Sequence, residues 1–117
     1  MRRRGFRLEN IIASRYRRAG YRVRKHVFTS RGEIDILAVL SRKRVAVEAK
    51  SGRQVVTSRV VRSIYRKAKL VRARPKLKIG PGVKVTRPAR ELARSLGVTI
   101  GVVRGKTRRE KRRRWDR

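Results

Sequence analysis

A predicted β-hairpin over residues 32–50 constrains the fold more than any other stretch of the chain. Two apolar runs flank a short basic turn, which is the pattern of two antiparallel strands. Three of the seven carboxylates of the chain, Glu33, Asp35 and Glu48, lie on this hairpin. Carboxylates in apolar strands are poorly solvated and need a cation or a hydrogen-bond donor beside them. The hairpin therefore predicts either a metal-binding site or a set of ion pairs with the surrounding arginines.

Period-two alternation predicts how the hairpin presents its side chains. Ile34, Ile36 and Ala38 should share one face of the first strand, opposite to the acids. Glu48 and Lys50 should lie side by side on the second strand. The acids and one lysine are thus expected on a common surface.

Hydrophobic periodicity predicts three helices and further strands around the hairpin. The resulting order, α-β-β-β-α-β-α-β, indicates an α/β fold with a mixed central sheet. The helices are expected over residues 5–19, from residue 57 or 58 to about 74, where Pro75 ends the helix, and over 87–96. Further strands are expected over residues 21–28, with one polar face, and over 98–103, as a buried strand, with short strand pieces over 76–86. His26, the only histidine, is interpreted as a surface residue of the first strand.

Four residues of this arrangement suffice for phosphodiester hydrolysis. Carboxylates from Glu9, on the first helix, Asp35 and Glu48 suit Mg²⁺ or Mn²⁺, because hard cations prefer oxygen ligands. Such an ion lowers the pKa of its bound water and stabilises charge on phosphoryl oxygens. Lys50 can orient the water or neutralise the transition state. The absence of cysteine excludes thiolate metal sites and disulfides, and a single histidine argues against a histidine-based zinc site or catalytic triad.

At these residues the sequence resembles the PD-(D/E)XK nucleases, whose fold is restriction endonuclease-like. Asp35, a twelve-residue gap and then Glu48-Ala49-Lys50 match the signature of that family. Glu9 matches the acid that many members carry on the first helix. The sequence around these residues looks most like that of small archaeal Holliday-junction resolvases and of the Mrr or RecB-like nucleases.

The resemblance implies a role for each matching residue. Asp35, Glu48 and the backbone carbonyl of Ala49 would hold Mg²⁺ or Mn²⁺. Lys50 would be the catalytic lysine, with Glu9 as a further catalytic acid. Gln54, four residues beyond Lys50, would assist.

The charge of the chain points to nucleic acid as the partner. Lys and Arg number 38 against seven acids, a formal net charge of +31, and such a chain repels itself unless a polyanion neutralises it. No apolar stretch reaches the length of a bilayer span, so we expect a cytoplasmic protein with no membrane contact. The arginine-rich composition, with one Asn and one Gln, hints at a thermophile.

Three groups of basic residues are expected to contact phosphates. A basic arm over residues 1–4 and a basic tail over 104–117 flank a nuclease-like domain over 5–103. The third group is the outer face of the second helix. The predicted nucleic-acid contacts are Arg2, Arg3, Arg4, Arg59, Arg62, Arg66, Lys67, Lys69, Arg108, Arg109, Lys111, Arg112, Arg113, Arg114 and Trp115.

Two functions remain open from the sequence. The first is a metal-dependent endonuclease that cuts DNA and is selective for the structure of the DNA. A homodimer is one arrangement open to such an enzyme. The second is a non-catalytic RNA-binding or ribosome-associated protein that reuses the nuclease fold, which the extreme positive charge favours.

Overall fold

The hairpin forms as predicted and lies at the centre of a mixed sheet. The structure, a computed structural model, describes the backbone of residues 2–104 and the side chains of residues 7–104. Three helices occur within that range, α1 (Arg2–Arg18), α2 (Ser58–Leu70) and α3 (Arg87–Leu96). The strands there are β1 (Arg22–Thr29), β2 (Gly32–Leu40), β3 (Lys43–Lys50), β4 (Val55–Val56), β5 (Arg74–Ile79), β6 (Lys84–Val85) and β7 (Thr99–Val102).

The main sheet has five strands in the order β1-β2-β3-β5-β7. β1, β2 and β3 pair antiparallel, whereas β5 pairs parallel with both β3 and β7. The predicted α/β fold and the mixed sheet are thus confirmed. The two-residue strands β4 and β6 pair parallel with each other in a small second sheet that the sequence did not predict.

Helices cover both faces of the main sheet. On one face, Leu8 and Ile12 of α1 pack against a cluster that contains Val45 and Val47. On the other face, α2 packs beside Ala46, which points the opposite way along the same strand. α3 joins α2 over β5 and β7. β3 is therefore covered on both sides, and the acidic residue that it carries lies deep in the molecule.

Two predicted helix boundaries were wrong. α1 begins at Arg2 and not at residue 5, so the backbone of the basic residues 2–4 belongs to this helix. α2 ends at Leu70 because the chain turns at Arg72, which has a φ of 54°. Pro75 therefore lies near the start of β5, where a residue without an N–H is tolerated, and is not the residue that ends α2. No helix within the described residues is long and apolar enough to cross a bilayer.

Candidate active site

Asp35 and Glu48 are brought together by the register of β2 and β3. The antiparallel ladder runs from Leu40 opposite Lys43 to Ile36 opposite Val47, so the next residues, Asp35 and Glu48, meet where this ladder ends. In place of a further strand pair, the Asp35 carboxylate accepts a hydrogen bond from the backbone N–H of Ala49 at 2.9 Å. This bond fixes one oxygen of Asp35 beside Glu48.

The backbone of β2 is irregular at Asp35, which the sequence did not reveal. Ile36 packs on the α1 side of the sheet, whereas Ile34 packs with Ala68 on the α2 side. The predicted common face of Ile34, Ile36 and Ala38 was therefore wrong. The neighbouring strand is irregular at the same level, because His26 has a φ of 54° and the β1–β2 register passes over His26 and Asp35.

Glu48 lies between two lysines. Its Oε1 is 3.1 Å from Lys67 Nζ and its Oε2 is 3.8 Å from Lys50 Nζ, and only 13% of its side chain is exposed. Burial raises the pKa of Glu48 and the nearby Asp35 raises it further, while the lysines oppose the shift. The alternating faces of β3 thus bring Glu48 and Lys50 together as predicted.

The pKa of Asp35 is likewise subject to opposing effects. Burial raises the pKa of Asp35, and the N–H of Ala49 and the charges of Lys67 and Lys50 act against that rise. A buried carboxylate next to a second acid favours a bound cation, because its negative charge is poorly solvated.

Glu9 of α1 approaches the site from the other side, in contact with His26. Its carboxylate is 3.8 Å from His26 Nε2 and 12% of its side chain is exposed. Burial raises the pKa of Glu9, and the charge of Asp35 adds to the effect. His26 Nδ1 also contacts the Glu33 carboxylate, and this hydrogen bond raises the pKa of His26. His26 is at the surface as expected, but it connects two of the acids, which the sequence had not suggested.

Lys67 is the site residue whose position in the fold differs from the one predicted from the sequence. It was expected on the outer face of α2 as a phosphate contact, but it is 8% exposed and points inward. Its ammonium donates to the backbone carbonyl of Glu33 at 2.8 Å and to Glu48 Oε1. Its position in the helix was the missed signal, since Lys67 follows buried Ile64 by three residues and precedes buried Ala68.

The partners that the structure describes for the hairpin acids are lysines, a histidine and a backbone N–H, and not the arginines of the alternative prediction. Lys67, Lys50 and His26 form the described ion pairs of Glu48 and Glu33, and the partner of Asp35 is a backbone N–H. Gln54 is exposed, and its amide donates to the carbonyl of Ser51. No hydrogen bond within the described part of the chain joins Gln54 to the acids.

The remaining predicted contacts divide into two groups. Arg59, Arg62, Arg66 and Lys69 are exposed on α2, and Lys69 Nζ lies 5.1 Å from the centre of the Tyr65 ring. The side chains of Arg2, Arg3 and Arg4 lie outside the described residues. The tail residues Arg108, Arg109, Lys111, Arg112, Arg113, Arg114 and Trp115 lie outside them as well.

The donor set fits a hydrated hard cation and does not fit a cage built from protein ligands alone. Within residues 7–104, no group of three or more His, Asp or Glu side chains is arranged to hold a metal. Asp35 and Glu48 nevertheless offer two adjacent carboxylates, and Mg²⁺ commonly binds through one or two carboxylates while it keeps several waters. The carbonyl of Ala49, expected as a ligand, stays a prediction, because only its N–H is seen in contact with Asp35.

Comparison with known proteins places this geometry in context. Residues 2–107 match a family model, Mrr_cat, which is described as a restriction endonuclease. No curated protein sequence matches the chain.

Several solved structures have a similar fold. AF1548, a protein of unknown function, gives a TM-score of 0.65 at 17% identity over 80% of this chain and 55% of its own. A repair endonuclease from Pyrococcus abyssi gives 0.64 at 18% identity, over 83% of this chain and 45% of its own. Hjc, a Holliday junction resolvase from Archaeoglobus fulgidus, gives 0.52 at 21% identity, over 71% and 66%. The chain spans about half the length of the first two proteins, and these likenesses concern the fold.

Proposed function

The chain belongs to the restriction endonuclease family whose model it matches, and on that premise we propose that it is a metal-dependent endonuclease that hydrolyses DNA phosphodiester bonds. The observation that carries the proposal is the meeting of Asp35 and Glu48 beside Lys50 at the end of the β2–β3 ladder. Two structural relatives are a repair endonuclease and a Holliday junction resolvase, which supports selectivity for DNA structure. A homodimer stays a prediction.

Asp35 and Glu48 would hold the divalent cation, with Mg²⁺ or Mn²⁺ as the ion that suits their oxygens. When bound, the ion supplies charge to stabilise the phosphoryl oxygens and a bound water of lowered pKa. The N–H of Ala49 keeps one Asp35 oxygen in a fixed orientation before any ligand arrives. Such preorganisation lowers the cost of positioning groups at the moment of reaction.

Lys50 would act on the phosphate. Its side chain is 28% exposed and its ammonium is 3.8 Å from Glu48, a loose contact that leaves it able to turn toward a phosphate oxygen. There it would neutralise charge that develops in the transition state. Glu9, with its raised pKa and its contact with His26, would accept or hold a proton at the edge of the site.

The proposal is tested by cleavage of a supercoiled plasmid and of branched DNA with Mg²⁺ and with a chelator. We expect Mg²⁺-dependent nicking, and a loss of about 10²-fold or more in Asp35→Asn and in Lys50→Met, because each removes one group that stabilises the transition state. DNA binding at low salt should persist in both variants.

Glu91→Gln is the matched control, because Glu91 is an exposed acid of α3 that pairs with Arg87. It should cut like the parent. Equal cutting by the Asp35, Lys50 and Glu91 variants would refute the proposal.

One observation favours the second candidate, a non-catalytic RNA-binding or ribosome-associated protein. Glu48 already has Lys67 at 3.1 Å and Lys50 at 3.8 Å, so the acids at the centre are partly neutralised by the chain itself. The same cleavage assay separates the two candidates. A protein of the second kind binds nucleic acid but does not cut it in any metal tested.

A further inference from the structure

A pocket lined by four arginines lies beside α2, away from the carboxylates. Its lining consists of Arg59, Arg62, Ser63 and Arg66 from α2 and Arg31 from the turn between β1 and β2, and its volume is about 320 Å³. The α2 residues are spaced three, four and seven apart, so they share one face of the helix. Arg31, from a different element, closes the pocket on the other side.

Four guanidinium groups around one pocket repel one another. Arginine stays protonated at every accessible pH, so the repulsion cannot be relieved by loss of a proton. The lining contains no carboxylate, and none of the ion pairs described within residues 7–104 involves these four arginines. An anion in the pocket would remove this repulsion.

The chemistry of the lining suits phosphate groups. Guanidinium groups present planar pairs of donors that match phosphate oxygens, and the Ser63 hydroxyl adds a further donor. A volume of about 320 Å³ falls in the range of pockets for whole small molecules, roughly 300–1,000 Å³. The pocket is therefore larger than one free anion needs and suits a stretch of sugar-phosphate backbone.

The pocket and the carboxylates are joined by two elements. Arg31 precedes Asp35 by four residues, a span of roughly 13 Å at about 3.3 Å per strand residue. Arg66 is adjacent in the chain to Lys67, whose ammonium contacts Glu48. Phosphates follow one another every ~3.4 Å of axis along one strand of duplex DNA, so this span corresponds to a few nucleotides.

We propose that the arginine pocket is a second phosphate-binding site, which holds the DNA backbone a few nucleotides from the phosphate bound at Asp35 and Glu48. This inference rests on the proposed function for the position of the cut, whereas binding at the pocket can be measured without cleavage. The pocket thereby fixes the distance between the anchored phosphates and the bond that is cut.

The experiment measures how the affinity for a 24-base-pair DNA duplex depends on salt, by fluorescence anisotropy in the absence of metal. The logarithm of the binding constant falls with the logarithm of salt concentration, and each lost phosphate contact reduces the slope by about 0.9. We expect Arg62→Gln/Arg66→Gln to reduce the slope by about 1.8 and Arg31→Gln alone by about 0.9. Because these side chains are exposed, the variants should fold, and Arg31→Gln gives an independent reading from another element.

The matched control is Arg90→Gln/Arg94→Gln, which removes the same charge from exposed positions of α3 outside the pocket. It should reduce the slope by less than half as much. Equal reductions in the two double variants would overturn the proposal, because binding would then follow total charge and not the pocket. A pocket-specific reduction on duplex RNA but not on DNA would overturn it as well.

Failure of the pocket can be told apart from failure of the proposed function. If the parent cuts in an Asp35-dependent way but the pocket and control variants bind DNA alike, the pocket proposal is wrong and the nuclease stands. If the parent does not cut DNA but the pocket variants lose the expected slope, the phosphate site stands and the nuclease proposal is wrong.

Discussion

Asp35 illustrates, at the scale of a single residue, how a candidate catalytic group can destabilise the fold that holds it. Burial raises its pKa above the usual value of 3.8, even though the N–H of Ala49, Lys67 and Lys50 act against the rise. An acid with a higher pKa in the folded state binds its proton more tightly there, so stability falls as pH rises through the interval between the unfolded and the folded pKa. The ionised carboxylate is therefore a net cost at neutral pH.

We predict that Asp35→Asn raises the melting temperature at pH 7–8. The amide oxygen can still accept the hydrogen bond from Ala49, while the buried charge disappears. The gain should shrink as pH falls toward 3.8, where the parent carboxyl is also protonated. Thermal unfolding followed by circular dichroism between pH 4 and 8 checks this.

Glu91→Gln, which removes an exposed carboxylate paired with Arg87, should not raise the melting temperature at pH 7–8. A lower melting temperature for Asp35→Asn at pH 7.5 would show that the lysines stabilise the carboxylate more than burial penalises it.

At the scale of elements, the three helices differ in how clearly the sequence marks their ends. Both ends of α3 were predicted, because Pro88 stands in its first turn and Gly97 follows with a φ of 74°, which glycine adopts without strain. The end of α2 was not, because Pro75 was interpreted as the stop although the chain had already turned at Arg72. A turn of this kind, made by an arginine and not by a glycine, has no local sequence signal that would predict it.

The start of α2 and the start of α3 give a matched pair for an element-scale prediction. The Thr86 hydroxyl accepts a hydrogen bond from the N–H of Ala89, whereas the Thr57 side chain makes no capping bond to α2. Thr86→Ala should therefore lower the free energy of unfolding by about 1 kcal/mol. Thr57→Ala should change the free energy of unfolding by no more than about 0.3 kcal/mol.

Urea unfolding of the two variants beside the parent measures both values. Equal losses at the two positions would mean that the described capping geometry does not govern helix stability here.

The candidate site was predictable from the sequence only as far as strand alternation holds. The pairing of Glu48 with Lys50 and the approach of Asp35 followed from the hairpin and are seen in the structure. The irregular backbone at Asp35 was not predictable, because the isoleucines on either side give a regular alternating pattern. Lys67 was missed because its charge was weighed above its position among buried helix residues.

At the scale of the whole molecule, charge is distributed very unevenly. The net charge is +31, and four of the seven acids, Glu9, Glu33, Asp35 and Glu48, are gathered at the candidate site. Most of the charged side chains exposed on the described part of the chain are therefore cations. Like charges at this density oppose the compact state, and dissolved salt screens them.

The corresponding prediction is that the melting temperature rises with ionic strength. Between about 20 mM and 0.5 M NaCl the screening length falls from tens of ångströms toward a few, so repulsion between surface cations should largely vanish. Differential scanning calorimetry at fixed pH gives the trend, with glucose at equal osmolality as the control without ions. A flat or falling trend in NaCl would contradict the view that self-repulsion limits stability.

Lys67 bears on whether the protein needs a metal ion in order to fold. Many small metal-binding domains fold only when the ion is present, because metal binding supplies the free energy of folding. Here the ammonium of Lys67 contacts Glu48 and the carbonyl of Glu33, so a covalently attached cation already occupies the centre of the acidic cluster. A newly synthesised chain can therefore complete its fold with no metal at hand. Under the proposed function, a divalent ion would bind afterwards and would take over part of the charge neutralisation that Lys67 provides at Glu48.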